Sequence, residues 1–398
     1  MTVIASSPTS LSTSQPSDSL RLFDGEKQDV WQTSISRQRI LGMMIRRAFL
    51  ASAATALLPA APRNWKLGIN TYCLRFQAWH DRRLFDYCAG QKLDAIFLQD
   101  SLDPAAMDPK HWAEVRAWSK DLDLPVQTGG GAILPKTPDG ISTAVATLRR
   151  NIQRAATMGS PIVRALLASD RYAMPDGPVE RHIETAARIL REVRSQAMDA
   201  GLKVGIENHK ELQAWETRQL IETAGKEFVG SYLDTGNPVF VAEDPATTLE
   251  ELGPYAVTFH LRDSVVYEHP DGVSVQWVPL GEGTIDFKAL LARAAQILPP
   301  VNVYCKPITA RPAVTIPVYK TEFWTKWFPR ARARDLGSFL ALARRGRPYD
   351  KPHLMADLPG VRDRYMDGLR VQQLDHMQRS LDYCRKDLDL GIRWRRGA

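Results

Sequence analysis

From residue 66 onward, short apolar runs alternate with longer stretches in which apolar residues recur every three or four positions. The periodic stretches at 141–157 and 179–200 are typical of helices packed on a sheet. Short, β-rich runs are typical of parallel strands covered by helices on both sides. Eight such runs are predicted as strands: 66–72, 94–99, 124–128, 161–167, 202–209, 229–234, 256–261 and 301–306.

Eight successive β-then-α units predict an α/β fold, a closed (β/α)8 TIM barrel. A doubly wound open sheet is the structural alternative. The first strand is not followed by a GxGxxG sequence, which argues against a dinucleotide-binding version of that sheet. At roughly 250 residues, one barrel accounts for residues 63–330, and residues 331–398 are predicted as a C-terminal helical extension. Within that extension, 361–386 is predicted as a long amphipathic helix that docks on the barrel or on a second subunit, so a homo-oligomer is compatible with the sequence.

Residues 1–62 have the composition of a leader segment rather than of a part of the folded domain. The first thirty are rich in Ser, Thr, Asp and Gln, which is typical of disorder. Arg46 and Arg47 precede Phe49, Leu50 and an Ala-rich run, which resembles a twin-arginine export signal and predicts a periplasmic location. An Ala-rich helix with no targeting role, in a cytoplasmic protein, is the alternative.

The chain carries a net charge of +7, but the excess is concentrated in arginines that follow the predicted barrel. Arginines in such positions are typical of solvated helix faces and a basic tail, so we expect no nucleic-acid partner. The four cysteines are scattered and form no CxxC pair, which argues against a zinc ribbon. No run approaches the roughly 20 apolar residues of a membrane span, so no stable membrane insertion is expected.

Polar residues stand where the predicted strands end, and a barrel of this kind carries its chemistry there. Glu207 ends the fifth strand, Asp234 the sixth, and His260 lies near the end of the seventh. Their spacings of 27 and 26 residues each match one βα unit. Each alone is more typical of a turn or core residue, but together they form an oxygen and nitrogen ligand set. The sequence therefore predicts a divalent-metal site that suits Mn²⁺, Mg²⁺, Co²⁺ or Zn²⁺.

Further polar residues near these strand ends are candidates for binding or chemistry. His209 lies two residues after Glu207 and is expected on the same side of its strand. It is a candidate general acid or base, or a group that positions the substrate. Asn70, at the end of the first strand, is a candidate substrate-binding residue, and Asn237 and Arg262 are expected to hold sugar hydroxyls or to stabilise an enolate.

Four segments in order carry a resemblance: IENH at 206–209, LDTGN at 233–237, FHLRD at 259–263 and PLGEGTIDF at 279–287. Together they resemble the sugar phosphate isomerase/epimerase family, the xylose isomerase-like barrels that include tagatose 3-epimerase-type enzymes, over residues 65–330. The resemblance implies a Glu-Asp-His-Glu site that holds Mn²⁺ or a similar ion. It also implies proton transfer beside a sugar carbonyl through an enediolate.

The chain departs from that pattern at the eighth strand, where Lys306 stands in the place of the second glutamate. An ammonium group is a hydrogen-bond donor and no metal ligand. Lys306 is then a base or an electrostatic stabiliser in altered chemistry, or a sign that the metal site is degenerate. Cys305 is expected on the opposite face of the strand, and Glu282, in the loop after the seventh strand, is a candidate to reach the substrate.

These features favour a metal-dependent sugar isomerase or epimerase that uses Glu207, His209 and Lys306 in catalysis and a small sugar as substrate. A lyase or hydrolase acting on a keto-glycoside would share the first step, proton removal beside a ketone. A repair endonuclease of related fold is disfavoured, because six of the eight histidines lie away from the strand ends. A noncatalytic barrel with a decayed metal site is the remaining alternative.

Overall fold

A computed structural model describes residues 64–99 and 101–396. The predicted leader at 1–62, with its twin arginines, lies outside the described residues, and the predicted boundaries at 63 and 331 stay predictions. No helix in the described ranges is long and apolar enough to cross a membrane.

Eight parallel strands close into a barrel, which confirms the predicted fold class. The barrel strands are β1 (Leu67–Asn70), β2 (Ala95–Leu98), β3 (Val126–Ala132), β4 (Ile162–Leu166), β5 (Lys203–Glu207), β6 (Val229–Asp234), β7 (Ala256–Leu261) and β10 (Val303–Cys305). A separate antiparallel sheet contains β8 (Asp263–His269), β9 (Gly272–Val278) and β11 (Val314–Ile316), in the order β11-β9-β8. All eight predicted strands are present, and the small sheet is an addition that was not predicted.

Helices surround the barrel strands. The α-helices are α1 (Asp81–Gly90), α2 (Pro109–Asp121), α3 (Ile141–Met158), α4 (Val179–Arg191), α5 (Arg194–Asp199), α6 (Ala214–Ala224), α7 (Pro245–Leu252), α8 (Phe287–Ile297), α9 (Ala333–Ala343), α10 (Val361–Arg364), α11 (Met366–Lys386) and α12 (Arg393–Arg396). Short 3-10 segments span Thr71–Gln77, Pro138–Gly140, Arg171–Ala173, Pro238–Val241 and Gly253–Tyr255, and a π-helical turn spans Phe323–Trp327.

Two predicted helices are each interrupted once. The helix predicted over 179–200 divides into α4 and α5, with Val193 between them at φ −108°. The helix predicted over 361–386 divides at Tyr365, where φ is −126°. Apolar periodicity continues through both breaks, so the pattern of side chains did not reveal them.

The long helix α11 packs on the barrel. This is the first of the two predicted alternatives, docking on the barrel or on a second subunit. Its Met377, Leu381 and Cys384 are fully buried in the same core cluster as the strand residue Cys305. The Ser380 hydroxyl also accepts a hydrogen bond from the backbone of Leu280 at 3.0 Å. These contacts join the described part of the predicted C-terminal extension to the barrel core.

The barrel interior is filled by a second, smaller cluster of large side chains. Phe97, Tyr232 and Tyr304 meet there, with the Phe97 ring 5.3 Å from Tyr232 and 5.7 Å from Tyr304. This layer closes the interior from below, as side chains do in barrels of eight strands. These rings fill the middle of the barrel together with Ala95 and Ile162.

Gly68 is required where β1 approaches this interior layer. A Cβ atom at Gly68 would lie 2.6 Å from the Ala95 carbonyl oxygen and 2.7 Å from the Tyr304 ring. We expect Gly68→Ala to lower the free energy of unfolding by about 1–3 kcal/mol, because the neighbouring strand must shift. Urea denaturation followed by circular dichroism measures the change.

Gly337→Ala is the matched control, since Gly337 lies inside α9 and a Cβ atom there would have no neighbour within 4 Å. For Gly337→Ala we expect the free energy of unfolding to rise by about 0.5–1 kcal/mol, because alanine has the higher helix propensity. Equal effects of the two substitutions would show that the packing at Gly68 does not constrain the barrel.

Candidate active site

The polar side chains of the site are held by the carboxyl ends of different strands. Asn70, Glu207 and Asp234 are the last residues of β1, β5 and β6. Arg262 and Lys306 directly follow β7 and β10. Parallel strands of a barrel end on one face, so residues far apart in sequence meet there.

Lys306 lies at the centre of this group and is 2% exposed. Its Nζ atom donates to Glu207 Oε1 at 2.9 Å and lies 3.1 Å from Asp234 Oδ2. It also donates to the Tyr232 hydroxyl at 3.0 Å. The ammonium group therefore bridges the two carboxylates that the sequence predicts as metal ligands.

Two arginines add positive charge to the same carboxylates. The Arg164 guanidinium pairs with Glu207 Oε2, and Arg262 donates to Asp234 Oδ2 at 2.9 Å. Burial alone would raise the pKa of Glu207, but Arg164 and Lys306 hold that pKa well below its ordinary value. Among the residues that the structure describes, three cations thus face two carboxylates in this buried cluster.

Asn237 connects the two halves of the cluster. Its amide nitrogen donates to Glu207 Oε1 at 3.0 Å, and its amide oxygen accepts from Arg262 at 3.1 Å. Asn237 is fully buried, so both polar atoms are used within the protein. It positions Glu207 and Arg262, and its role in binding substrate stays a prediction.

The structure does not bring His260 together with the two carboxylates. His260 stacks between Tyr232 and Tyr304, with ring centroids 3.9 Å and 4.8 Å away. Its Nδ1 lies 2.9 Å from the Tyr232 hydroxyl, and its Nε2 lies 3.1 Å from the Thr258 hydroxyl. Burial, and then the charge of Lys306, hold the pKa of His260 well below its ordinary value, so the ring is neutral.

This geometry does not fit a divalent ion held by Glu207, Asp234 and His260. The Lys306 ammonium occupies the space between the carboxylates, and both histidine nitrogens face other partners. His260 pairs with Asp234 in strand register, yet the side chain that contacts Asp234 from that part of the chain is Arg262. Barrel strands tilt, so residues paired in register do not reach the same level of the interior. The predicted Mn²⁺ at this trio is not confirmed.

Over the described ranges, the three side chains whose ligand atoms lie within 4.8 Å of one another are Asp81, Asp103 and His111. They belong to α1, the loop after β2, and α2, away from Lys306. His111 Nε2 lies 2.8 Å from Asp81 Oδ2, which also accepts from the Ser101 hydroxyl at 2.7 Å. This group is a candidate divalent-metal site that the sequence analysis did not identify.

A cavity of about 500 Å³ opens above Lys306. Its lining includes the cations Arg164, Arg262 and Lys306. The aromatic rings of Phe240 and Trp277 and the imidazole of His209 also line it. A larger groove of about 830 Å³ runs over the outer helices α2, α3 and α4, far from the strand ends. The cavity at the barrel mouth combines enclosure with convergent polar groups, as small-molecule sites do.

His209 and Glu211 form a second titratable pair beside this cavity. Burial lowers the pKa of His209 to about 3 and raises the pKa of Glu211 to about 7. The Nδ1 atom of His209 lies 3.8 Å from Glu211 Oε2 and accepts or donates no hydrogen bond within the described residues. A neutral imidazole next to a carboxyl group that titrates near pH 7 is an arrangement typical of acid–base sites.

Two predicted substrate-binding residues face the protein instead of the cavity. The Glu282 carboxylate accepts from the Tyr349 hydroxyl at 2.5 Å, pairs with Arg379 and lies 3.0 Å from the Lys351 ammonium. Its role as a substrate ligand is therefore not supported, because the C-terminal segment occupies its carboxylate. Asn70 donates to Gln99 at 2.9 Å and to Tyr232 at 3.0 Å, beneath the cavity.

Sequence reasoning missed several residues of the site, among them Arg164, Trp277, Tyr232 and Glu211. Arg164 had a signal, since a charged residue inside the apolar strand PIVRALL requires a buried partner. Trp277 also had one, because an HPDG segment between two alternating runs is typical of a β-hairpin turn. Tyr232 and Glu211 resemble ordinary core and loop residues, and only their neighbours give them a role.

A parallel barrel with a polar cavity at the ends of its strands is a common architecture of enzymes on small molecules. Residues 85–298 match the family described as xylose isomerase-like TIM barrel. That segment is more than half of the chain, and the chain belongs to this family. The membership confirms the family resemblance carried by the IENH, LDTGN and FHLRD segments.

The comparisons with individual proteins give weaker likenesses. The uncharacterized protein YihM of Escherichia coli (strain K12) is 27% identical over 120 residues, which is 30% of this chain and 37% of that protein. The match thus spans little more than a third of that relative. A D-tagatose 3-epimerase-like protein has a TM-score of 0.51 at 17% identity, covering 61% of this chain and 91% of its own. The IOLI protein, solved with a zinc atom, has a TM-score of 0.50 at 15% identity, and the match covers 70% of this chain and 96% of that protein. At these identities the structures share the fold with this chain.

The position of the Lys306 ammonium between Glu207 and Asp234 leads to a prediction about the metal content of the protein. We expect Lys306→Glu to gain about one divalent ion per chain, because a third carboxylate replaces the cation between Glu207 and Asp234. Elemental analysis of the purified wild type and variant, after loading with Mn²⁺ and desalting, measures the difference.

Asp103→Asn in both backgrounds separates an ion held by the Asp81, Asp103 and His111 group from one at the barrel centre. An ion that the wild type keeps after Asp103→Asn, but loses after Asp234→Asn, would contradict the lysine-filled arrangement.

The raised pKa of Glu211 makes a prediction about stability and pH. Its pKa in the folded chain, about 7, exceeds the ordinary value of 4.5, so the folded state binds this proton more tightly. The stabilisation from this group is complete below about pH 4.5 and is lost as the pH rises through 7. We expect the stability of the wild type relative to Glu211→Gln to fall by up to about 3 kcal/mol between pH 4.5 and 8.

Urea unfolding of both proteins at pH 5 and pH 8 measures this difference, in which other titrating groups such as Asp263 cancel. Glu184→Gln, at an exposed position, is the control. A constant difference between wild type and Glu211→Gln at the two pH values would show that Glu211 does not titrate in this range.

Proposed function

We propose that this chain is a sugar isomerase or epimerase that moves a proton beside the carbonyl group of a sugar or keto-sugar. The single observation that carries the proposal is the Lys306 ammonium between Glu207 and Asp234, on the floor of the barrel cavity. Family membership supports it, as does the fold shared with a D-tagatose 3-epimerase-like protein. The substrate we propose is a small sugar that enters the cavity above Lys306.

Lys306 supplies fixed positive charge where the family resemblance implies a divalent ion. Removing a proton beside a carbonyl moves an electron pair onto the carbonyl oxygen and gives an enediolate. Within the described residues, Lys306, Arg164 and Arg262 place three cations around the two carboxylates. Preorganised positive charge in a buried site stabilises such a developing oxyanion. Our proposal therefore includes no step through a metal ion at this position.

His209 is the proposed acid–base group. It lines the cavity with 19% of its side chain exposed, and its lowered pKa keeps the ring neutral. Glu211, 3.8 Å from Nδ1, gains negative charge near pH 7 and so favours the protonated ring. Return of the proton to the neighbouring carbon completes an isomerisation, and return to the other face of the same carbon completes an epimerisation.

Arg262 and Trp277 are proposed to orient the sugar. The Arg262 guanidinium lies 4.4 Å from the centre of the Trp277 ring, and both groups line the cavity. The Nε atom of Arg262 has no hydrogen-bond partner within the described residues. A buried donor without a partner is costly, and this atom can take a substrate oxygen only if the side chain moves towards the cavity.

Hydrogen exchange tests the proposal across several classes of sugar in parallel. The full chain is incubated in D₂O with aldoses, ketoses, keto-sugars, sugar acids and sugar phosphates, and each mixture is followed by NMR. We expect deuterium to enter at the carbon beside the carbonyl group of at least one sugar, with an isomer or epimer as product. A cleaved glycoside would instead indicate the lyase that shares this first step.

Variants then test the roles of the two residues. We expect His209→Ala to lower the exchange rate by about 10²–10⁴-fold, the range for loss of a general acid–base group. Lys306→Met should lower it by a similar factor, through loss of charge at the oxyanion. His269→Ala, at a partly exposed position of the hairpin, is the control and should leave the rate unchanged. Absence of exchange with every sugar would refute the proposal and favour the noncatalytic alternative.

A further inference from the structure

Positive charge exceeds negative charge over the whole cavity, not only at its floor. Five cationic side chains line it: Arg164, Lys210, Arg262, Lys306 and Arg311. The carboxylates that pair with them are Glu207, Asp234 and Asp357. Among these described side chains the cations outnumber the paired carboxylates by five to three, and such a surplus favours a ligand of opposite charge.

Lys210 carries the part of this excess nearest the cavity mouth. It is partly exposed, and within the described residues no carboxylate lies in ion-pair distance of its ammonium group. Burial lowers the pKa of Lys210, Asp170 opposes that change, and Arg262 and Arg311 add to it. Asp170 is the charged group that acts most strongly on Lys210, yet it does not form an ion pair with the Lys210 ammonium group within the described residues.

Two arginines of the cavity lining each retain a donor that is not used within the described residues. The Nε atoms of Arg262 and Arg311 have no hydrogen-bond partner within the part of the chain that the structure describes. Arg262 is 3% exposed, and its Nε belongs to a side chain that lines the cavity. Cationic donors without acceptors are suited to a ligand with several acceptor oxygens and a negative charge.

Aromatic rings hold Lys210 and Arg262 along one wall. The Lys210 Nζ atom lies 5.7 Å from the Phe240 ring centre and 5.8 Å from that of Trp277. Trp277 also lies under Arg262. This wall places a flat apolar surface beside two cations. The surface suits a sugar ring, and the cations suit an anionic group attached to that ring.

We propose that the substrate is an anionic sugar, whose carboxylate or phosphate group is bound by Lys210 and Arg311 at the cavity mouth. The inference rests on the proposed function, since it names the substrate class of the same site. Lys210 and Arg311 are partly exposed, whereas Lys306 and Arg262 are 2% and 3% exposed. The anionic group therefore lies towards solvent, and the carbonyl end of the sugar lies towards Lys306.

Calorimetric titration of the full chain with three sugars tests the substrate class. The probes are D-glucuronate, D-glucose 6-phosphate and D-glucose, in a buffer free of phosphate. We expect at least one anionic sugar to bind about tenfold or more tightly than glucose, the ratio that one charge-assisted contact supplies. The two anionic probes separate a carboxylate site from a phosphate site.

Lys210→Met keeps most of the side-chain length and removes the charge. We expect it to abolish the preference for the anionic sugar, and Lys210→Arg to restore it. Lys326→Met is the matched control, because the Lys326 ammonium also lies over a tryptophan ring, 4.7 Å from the centre of Trp327, but outside this cavity. The inference is overturned if glucose binds as tightly as both anionic sugars, if none of the three binds, or if Lys210→Met keeps the preference.

Hydrogen exchange on the same samples separates this inference from the proposed function. Binding of an anionic sugar through Lys210, with no exchange in any of the sugars screened, would leave the binding site standing and refute the isomerase. Exchange and binding with neutral sugars alone would support the isomerase and refute the anionic substrate.

Discussion

The ammonium group of Lys306 determines the electrostatics of the barrel centre. It bridges Glu207 and Asp234, which come from β5 and β6, and its own residue follows β10. Two carboxylates this close to each other would repel if no cation lay between them. With the lysine in place, three strand ends are joined by a charge that belongs to the chain itself. A divalent ion, which the family resemblance implies, would compete for the same position.

Burying several cations around Lys306 does not favour the stability of the fold, but it suits the binding of an anion in the cavity. Arg164 and Arg262 neutralise the outer oxygens of Glu207 and Asp234, and so leave the buried cluster positive. A buried excess of charge is weak support for stability. It is, however, suited to a developing oxyanion or to an anionic ligand. The proposed chemistry and the proposed substrate class both rest on this imbalance.

The strand ends could be predicted from the sequence, and the contacts between them could not. The runs at 229–234 and 256–261 match β6 and β7 residue for residue, because apolar runs bounded by helices define parallel strands. His260 was nevertheless misplaced as a neighbour of Glu207 and Asp234. The tilt of the strands places it in the aromatic layer with Tyr232 and Tyr304.

The sequence by itself determined the barrel, its family and the polar composition of its open end, including the lysine at position 306. Those features follow from local periodicity and from residues within one βα unit of each other. Only the tertiary structure decided which charges meet. Arg164 on β4, Glu207 on β5 and Lys306 after β10 contact one another because the barrel closes. The closure, tilt and hairpin wall depend on contacts between distant segments, so a pattern read along the chain does not contain them.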